Sequence, residues 1–183
     1  MIRTFIALTI PEEVKAVIGS AISELKAKNH AVRWVKPEGF HITLKFLGDI
    51  PEEAVAPLAA DLDKTAALCP PLTLRLAGFG AFPNVRRPRV VWVGLEGDMH
   101  ELSALAVHID KTCITYGVAG ERRPFSGHIT LGRLKAPTMV DLAINPVGGL
   151  FKVSQVLLYQ SVLLPSGAQY NVLHRSSLGG KGG

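Results

Sequence analysis

Two histidines, one in each half of the chain, begin nearly identical seven-residue segments. The first segment reads HITLKFL over residues 41–47, and the second reads HITLGRL over residues 128–134. Five of the seven positions are identical, and the two copies begin 87 residues apart. A match of this kind indicates two related structural units, so these segments are the first candidates for a functional site.

Both segments have the β-branched and aromatic content that is typical of strands. In a strand, residues i and i+2 point to the same face. His41 and Thr43 then share one face of the first strand, and His128 and Thr130 share one face of the second. A single strand of this kind could simply turn its polar face to solvent. Two matching copies related by a pseudo-two-fold axis favour a cleft in which the two imidazoles face each other.

Two imidazoles and two hydroxyls suit a displacement reaction at phosphorus. Histidine titrates near pH 6.5, so one ring can take a proton while the other gives one. Threonine hydroxyls can hold the non-bridging oxygens by hydrogen bonds. One histidine would activate water and the other would protonate the departing oxygen on the far side. A strained cyclic phosphate would need no metal ion, and we predict no cofactor.

Zinc is the competing interpretation of paired histidines. A zinc site usually needs at least three ligands from His, Cys, Asp or Glu, whereas Thr43 and Thr130 stand where further ligands would be expected. The remaining four histidines are predicted to be surface or core residues: His30, His100, His108 and His174.

The chain of 183 residues carries a net charge of +5 and has a pI of about 9.4. A basic surplus favours polyanionic partners. Cys69 and Cys113 form no disulfide framework. The apolar start lacks a signal-peptide cleavage site, and no apolar run reaches the length of a membrane span. We therefore predict a soluble, cytoplasmic protein without a membrane partner, and we take it as a monomer.

Strands and helices interleave without a regular βαβ succession. This order predicts an α+β fold that is bilobal, with two pseudo-symmetric lobes of antiparallel sheet, outer helices and a central cleft. Residues 1–178 are predicted to form a single bilobal domain, and residues 179–183 a flexible Gly-rich tail. Helices are predicted over residues 11–29, 51–68 and from Asp98, as N-cap, to near Gly117. Strands are predicted over 3–10, 32–35, 40–47, 72–79, 90–95, 125–134, 151–164 and 170–178, with a turn at 165–167.

At these residues the chain resembles the two-histidine phosphoesterase superfamily, which is defined by two His-x-Thr-x motifs. Within it, the sequence is similar to the RNA 2′,3′-cyclic phosphodiesterases first described as 2′-5′ RNA ligases, over nearly its whole length. Gly127 stands where that family commonly has proline, and Gln160 where it usually has an acidic residue. Besides the two motifs, the likeness is carried by residues 3–8, 33–35, 78–83, 87–92, 123–125 and 158–159.

The resemblance implies hydrolysis of an RNA 2′,3′-cyclic phosphate end, or of a cyclic nucleotide, to a 2′-phosphate. It implies that His41 is the proton donor and His128 the proton acceptor, although the residues alone leave both assignments open. It also implies that Arg133, five residues after the second histidine, contacts the phosphate or nucleotide. Strict alternation puts Arg133 on the face opposite His128 unless a β-bulge turns it back.

Other functions and surfaces stay open at this point. ATP-independent 2′-5′ RNA ligation, a non-catalytic module that binds RNA ends, and a zinc hydrolase are the alternatives. Trp34, Phe125 and Tyr159 could stack a base, as in readers of single-stranded RNA, while the parity of Phe46 predicts core packing. Five loop arginines could either attract the RNA backbone or be solvated: Arg86, Arg87, Arg89, Arg122 and Arg123.

Overall fold

Nine antiparallel strands form one sheet in the part of the chain that the computed structural model describes, residues 1–144, 148–165 and 167–179. The strands are β1 (Ile2–Thr9), β2 (Arg33–Trp34), β3 (His41–Ile50), β4 (Leu72–Phe82), β5 (Val90–Gly97), β6 (His128–Arg133), β7 (Phe151–Val153), β8 (Gln155–Leu164) and β9 (Gly167–Ser177). The helices are α1 (Glu12–Lys28), α2 (Val55–Ala67) and α3 (Met99–Ile114), with short 3-10 turns at Pro37–Gly39 and Glu52–Ala54.

Two related halves of four strands each meet in the middle of the sheet. The order is β7-β4-β5-β6-β3-β1-β8-β9, and the short β2 lies beside β6. The strands that carry the repeated histidines, β3 and β6, are central neighbours paired through Ile42 and Ile129. The predicted α+β fold of antiparallel sheet with helices outside a cleft is confirmed. That residues 1–178 form a single domain stays a prediction.

Near its end, the chain passes directly from one half of the sheet to the other. Only Ser154 separates β7 from β8, yet β7 pairs with β4 in one half and β8 pairs with β1 in the other. The two halves must therefore approach each other at Ser154, whose carbonyl accepts a hydrogen bond from the Leu178 amide (2.8 Å). The prediction of one unbroken strand over 151–164 is wrong because the partner changes at this residue.

Each helix buries one apolar face. α1 follows Pro11 and has Glu12 and Glu13 in its first turn, at the positive end of the helix dipole. α2 and α3 pack against each other, and α3 also contacts β3. Asp98 lies at the N-cap position of α3 as predicted. Its carboxylate, however, accepts a hydrogen bond from the Thr73 amide (2.7 Å) and does not cap the helix.

The other predicted elements differ from the structure mainly at their ends. β6 begins at His128, three residues later than predicted, and β4 continues to Phe82. The turn predicted at 165–167 joins β8 to β9, but Ser166 lies outside the described residues. So do residues 180–183 of the predicted tail.

A β-bulge interrupts each of the two repeated strands at the same position of the repeat. In β6, Thr130 pairs with Trp92 while Gly132 pairs with Val91, so Leu131 is an extra residue. In β3, Thr43 pairs with Ala7 while Lys45 pairs with Ile6, so the extra residue is Leu44. An extra residue reverses the alternation of the side chains that follow it. The fifth residue of each copy is therefore buried, and the sixth faces the same way as the histidine.

The first prediction concerns the close packing after the β6 bulge. At Gly132, a Cβ would overlap Cγ1 of Val32 and lie 3.2 Å from the carbonyl oxygen of Arg33. We expect Gly132→Ala to lower the free energy of unfolding by about 1–3 kcal/mol in urea denaturation, because overpacking forces neighbours apart. Gly78→Ala is the matched control, since a Cβ there meets nothing within 4 Å. Equal stability of the two variants would contradict this packing.

Candidate active site

The five residues predicted for the site line one cleft of about 800 Å³. His41 and Thr43 reach it from β3, and His128, Thr130 and Arg133 reach it from β6. The four histidine and threonine side chains are half-buried, while the isoleucines between them, Ile42 and Ile129, are fully buried. The predicted alternation thus places imidazoles and hydroxyls in the cleft, and the roles of these residues stay predictions.

A backbone carbonyl orients each histidine ring. Nδ1 of His128 lies 2.7 Å from the carbonyl oxygen of Ser126. His41 is hydrogen-bonded to the backbone of Gly39. In both copies the carbonyl belongs to the residue two positions before the histidine. A neutral His128 ring held in this way carries its proton on Nδ1, so Nε2 is its ring nitrogen left for the cleft.

Aromatic rings surround His41. Phe5 lies 4.9 Å from its ring centroid and Tyr170 meets it edge-on at 5.5 Å. Burial lowers the pKa of His41 from 6.5 to about 4. The hydrogen bond to Gly39 opposes this effect, whereas the nearby charges of Arg133 and His128 add to it. At neutral pH, His41 of the ligand-free protein is therefore uncharged.

The environment of His128 is built from different rings. Phe82 of β4 meets it edge-on at 5.1 Å, and Trp92 of β5 lies 6.3 Å away. These two rings lie 5.1 Å apart. The two imidazoles thus occupy similar positions in the repeat but have different surroundings, which gives the cleft two unequal sides.

Arg133 lies on the cleft because of the bulge at Leu131. The possibility that a bulge reverses its parity is confirmed. The same device at Leu44 brings Phe46 to the cleft, where it is 64% exposed. The prediction that Phe46 packs in the core is wrong. Strict alternation takes no account of Leu44, which has no partner in β1 and reverses the direction of the side chains after it.

The predicted aromatic and basic surfaces are only partly in the cleft. Phe125 lines it, while Trp34 packs against the core beside β6 and Tyr159 stacks on Phe5 at 5.0 Å. Three further aromatic residues, which the sequence did not indicate as site residues, line the cleft from strands outside the repeat: Phe5, Phe82 and Tyr170. Their positions depend on the pairing of β1 with β3, of β4 with β5 and of β9 with β8, which a single sequence does not reveal.

Three arginines line the cleft, and their positive charges can attract an anion. They are Arg3, Arg123 and Arg133. In the described ranges, the ion pair that an arginine makes with a carboxylate is the one between Arg75 and Glu96, outside the cleft. Arg86, Arg87, Arg89 and Arg122 are exposed on the two loops that border Phe82, Val90 and Arg123.

Three further observations concern metal binding, a histidine outside the site, and membranes. Among residues 1–144, 148–165 and 167–179, no group of three His, Cys, Asp or Glu side chains could hold a metal ion. His174, one of the four histidines predicted outside the site, pairs with Asp63 at 2.8 Å. The helices of the described ranges include none that is long and apolar enough to cross a membrane.

The second prediction concerns the charge of His41. Because its pKa is about 4 in the folded state and near 6.5 when unfolded, the unfolded chain binds the proton more tightly. The free energy of unfolding should be highest above pH 6.5 and fall toward pH 4, by up to about 3 kcal/mol from this group. We expect His41→Gln to remove this part of the pH dependence, measured by urea unfolding between pH 4 and 7.5.

The control for this experiment is His100→Gln, since the His100 side chain is 93% exposed. It should retain the wild-type pH dependence. A His41→Gln variant with the same pH dependence as the wild type would show that burial does not oppose the charge of His41.

Comparison with known proteins relates this sequence to phosphoesterases. A family model described as LigT like Phosphoesterase matches residues 8–92. A Thermus thermophilus relative named RNA 2′,3′-cyclic phosphodiesterase is 37% identical over 99% of this chain and 92% of its own length. A Thermotoga maritima relative of the same name is 31% identical over 97% and 96%. A Geobacillus stearothermophilus relative of the same name is 32% identical over 86% of this chain, but the matched region is only 51% of that protein's length.

Solved structures show the same fold. The protein TT0787 of Thermus thermophilus has a TM-score of 0.85 at 33% identity, covering 98% of this chain and all of that chain (100%). E. coli LigT complexed with 3′-AMP has a TM-score of 0.83 at 27% identity, covering 97% and 98%. The chain therefore belongs to the family of LigT-like phosphoesterases, and the family resemblance predicted from the two histidine motifs is confirmed. It is accordingly an enzyme that hydrolyses phosphodiesters.

Proposed function

We propose that this enzyme hydrolyses RNA ends carrying a 2′,3′-cyclic phosphate, leaving a 2′-phosphate and a free 3′-hydroxyl, without a metal ion. The observation that carries the proposal is the meeting of two oriented imidazoles, two threonines and an arginine in one cleft. The relatives named RNA 2′,3′-cyclic phosphodiesterase support the substrate class. That the enzyme is a cytoplasmic monomer stays a prediction from the sequence.

The reaction is an in-line displacement at phosphorus. Nε2 of His128 takes a proton from a water molecule, whose oxygen forms a new bond to phosphorus. The bond between phosphorus and the 3′ oxygen breaks on the opposite side, and the protonated ring of His41 donates a proton to that oxygen. Thr43, Thr130 and Arg133 hold the non-bridging oxygens, where negative charge increases in the transition state. The threonine hydroxyls donate to the anion, and Arg133 supplies a positive charge.

The donor role of His41 requires a change in its pKa. In the free protein, burial and the neighbouring positive charges hold this pKa at about 4, which by itself suits a base better than an acid. A bound phosphodiester brings a negative charge beside the ring, and an opposite charge at short range favours the protonated form. We propose that His41 takes up its proton together with the substrate.

The cleft also offers surfaces for the rest of the RNA end. Phe46 and Phe125 expose aromatic rings in it, and stacking on such rings is tolerant of base identity. Arg3 and Arg123, which also line the cleft, can meet backbone phosphates. These contacts suit a nucleotide whose phosphate lies between the histidines. E. coli LigT, a structural neighbour, is known in complex with 3′-AMP.

The third prediction is loss of turnover in the histidine variants. A short RNA ending in a 2′,3′-cyclic phosphate is incubated with each protein in excess chelator, and products are resolved by phosphorus NMR. We expect the wild type to yield a 2′-phosphate, and His41→Ala and His128→Ala to lose about 10²–10⁴-fold in kcat, as removal of an acid or base requires. His100→Ala, with its exposed side chain, should match the wild type. Full activity in either site variant, or no turnover by the wild type, would overturn the proposal.

The fourth prediction separates acid from base. In a cyclic substrate whose 3′ oxygen is replaced by sulfur, the leaving thiolate needs little protonation. We expect the rate loss of His41→Ala to shrink at least tenfold on this substrate and the loss of His128→Ala to persist, because water must still be deprotonated. The reverse pattern would exchange the two roles.

A further inference from the structure

A buried lysine follows the first histidine motif. After the bulge at Leu44, Lys45 lies on the buried side of the strand, and only 5% of its side chain is exposed. Its Nζ donates hydrogen bonds to Oδ1 of Asp110 in α3 (2.6 Å) and to the carbonyl oxygen of Ala119 (2.7 Å). Burying a cation is costly unless it is paired and hydrogen-bonded, so Lys45 ties β3 both to α3 and to the residues after α3.

Those residues, 119–127, lead directly into β6 and form one wall of the cleft. Among the described residues, the backbone atoms of 119–127 form no hydrogen bond with other backbone atoms. The amide of Glu121 instead donates to both carboxylate oxygens of Asp110 (3.1 and 3.2 Å). The side chains of Lys45 and Asp110 therefore provide hydrogen bonds to this segment that the backbone provides in a turn or a strand.

The same segment orients the second histidine. The carbonyl of Ser126 holds Nδ1 of His128 at 2.7 Å. The corresponding carbonyl of Gly39, beside His41, belongs to a 3-10 turn whose own backbone hydrogen bonds are Gly39 to Lys36 (2.8 Å) and Phe40 to Pro37 (3.1 Å). The support of His41 is thus local, whereas the support of His128 comes from side chains distant in sequence.

We propose that Lys45 and Asp110 are positioning residues for His128. The strand that carries the first histidine fixes residues 119–127 through this pair, and these residues fix the ring of the second histidine. Position five of the other repeat copy is Gly132, which Val32 covers so closely that a side chain has no room. Lys45 of the first copy therefore supports the segment before His128, and the second copy has no corresponding side chain that could support the segment before His41. The positioning role rests on the proposed function only in taking His128 as a catalytic residue.

The experiment must separate positioning from stability. Lys45→Met or Asp110→Leu alone leaves one charge buried without its partner, and we expect each to lower the urea midpoint of unfolding. The double variant Lys45→Met/Asp110→Leu buries no unpaired charge, and replacement of a buried pair by apolar residues is often neutral. We expect it to recover the wild-type midpoint while its kcat stays at least tenfold below that of the wild type.

A second readout follows the His128 ring itself. Nitrogen-15 shifts of the imidazole distinguish the two neutral tautomers; we expect only the Nδ1–H form in the wild type and a mixture of both forms in the double variant. The control is Lys64→Met, which breaks an exposed pair with Asp61 (2.8 Å) and should keep kcat within twofold. A double variant with the wild-type midpoint, kcat and tautomer would overturn the inference.

The two proposals fail in different ways. If the wild type does not hydrolyse the cyclic phosphate, the proposed function is wrong. The tautomer of His128 in the double variant still tests whether Lys45 and Asp110 position the ring. A wild type that is active, together with a double variant whose ring and kcat are unchanged, removes only the positioning role.

Discussion

An extra residue in each central strand, Leu44 in β3 and Leu131 in β6, determines which side chains reach the cleft. Without these bulges, strict alternation would send Arg133 and Phe46 to the buried face and Lys45 to the cleft. With them, the cleft gains a cation and an aromatic ring, and the core gains a lysine that needs a carboxylate. The histidines and threonines precede both bulges, so their shared face does not depend on them. The positions of Arg133 and Phe46 in the cleft and the burial of Lys45 do depend on them.

The two copies of the repeat differ at two positions, and those positions account for much of the asymmetry of the cleft. One copy has Lys45 and Phe46 where the other has Gly132 and Arg133. The sixth position supplies an apolar surface on one side and a positive charge on the other. Together with the burial of His41, which lowers its pKa to about 4, these differences give two identical imidazoles the unequal surroundings that the opposite roles proposed for them require.

Much of the site could be predicted from the sequence, because a repeated His-x-Thr on strand-like residues has few geometric interpretations. The four residues of the motifs, the antiparallel α+β fold and the positions of the helices followed from periodicity and from the helix starts at Pro11 and Pro51. The location of Phe46 did not follow, because a bulge is set by pairing with β1 and leaves no local signal. The break at Ser154 was missed for a similar reason, since it depends on which strands lie beside residues 151–164. The tie between Lys45 and residues 119–127 depends on contacts between distant segments, which one sequence does not show.

The placement of β1 between β3 and β8 has a consequence for how the enzyme folds during synthesis. Phe5 and Tyr159, which flank His41, come from opposite ends of the chain and meet only when β8 pairs with β1. The second histidine strand likewise joins the first across 87 residues. Contacts between such distant segments close slowly and late. A chain still emerging from the ribosome therefore holds His41 and Phe5 without Tyr159 and Tyr170, and the aromatic surroundings of His41 are complete only after the last hairpin, β8 and β9, has been made.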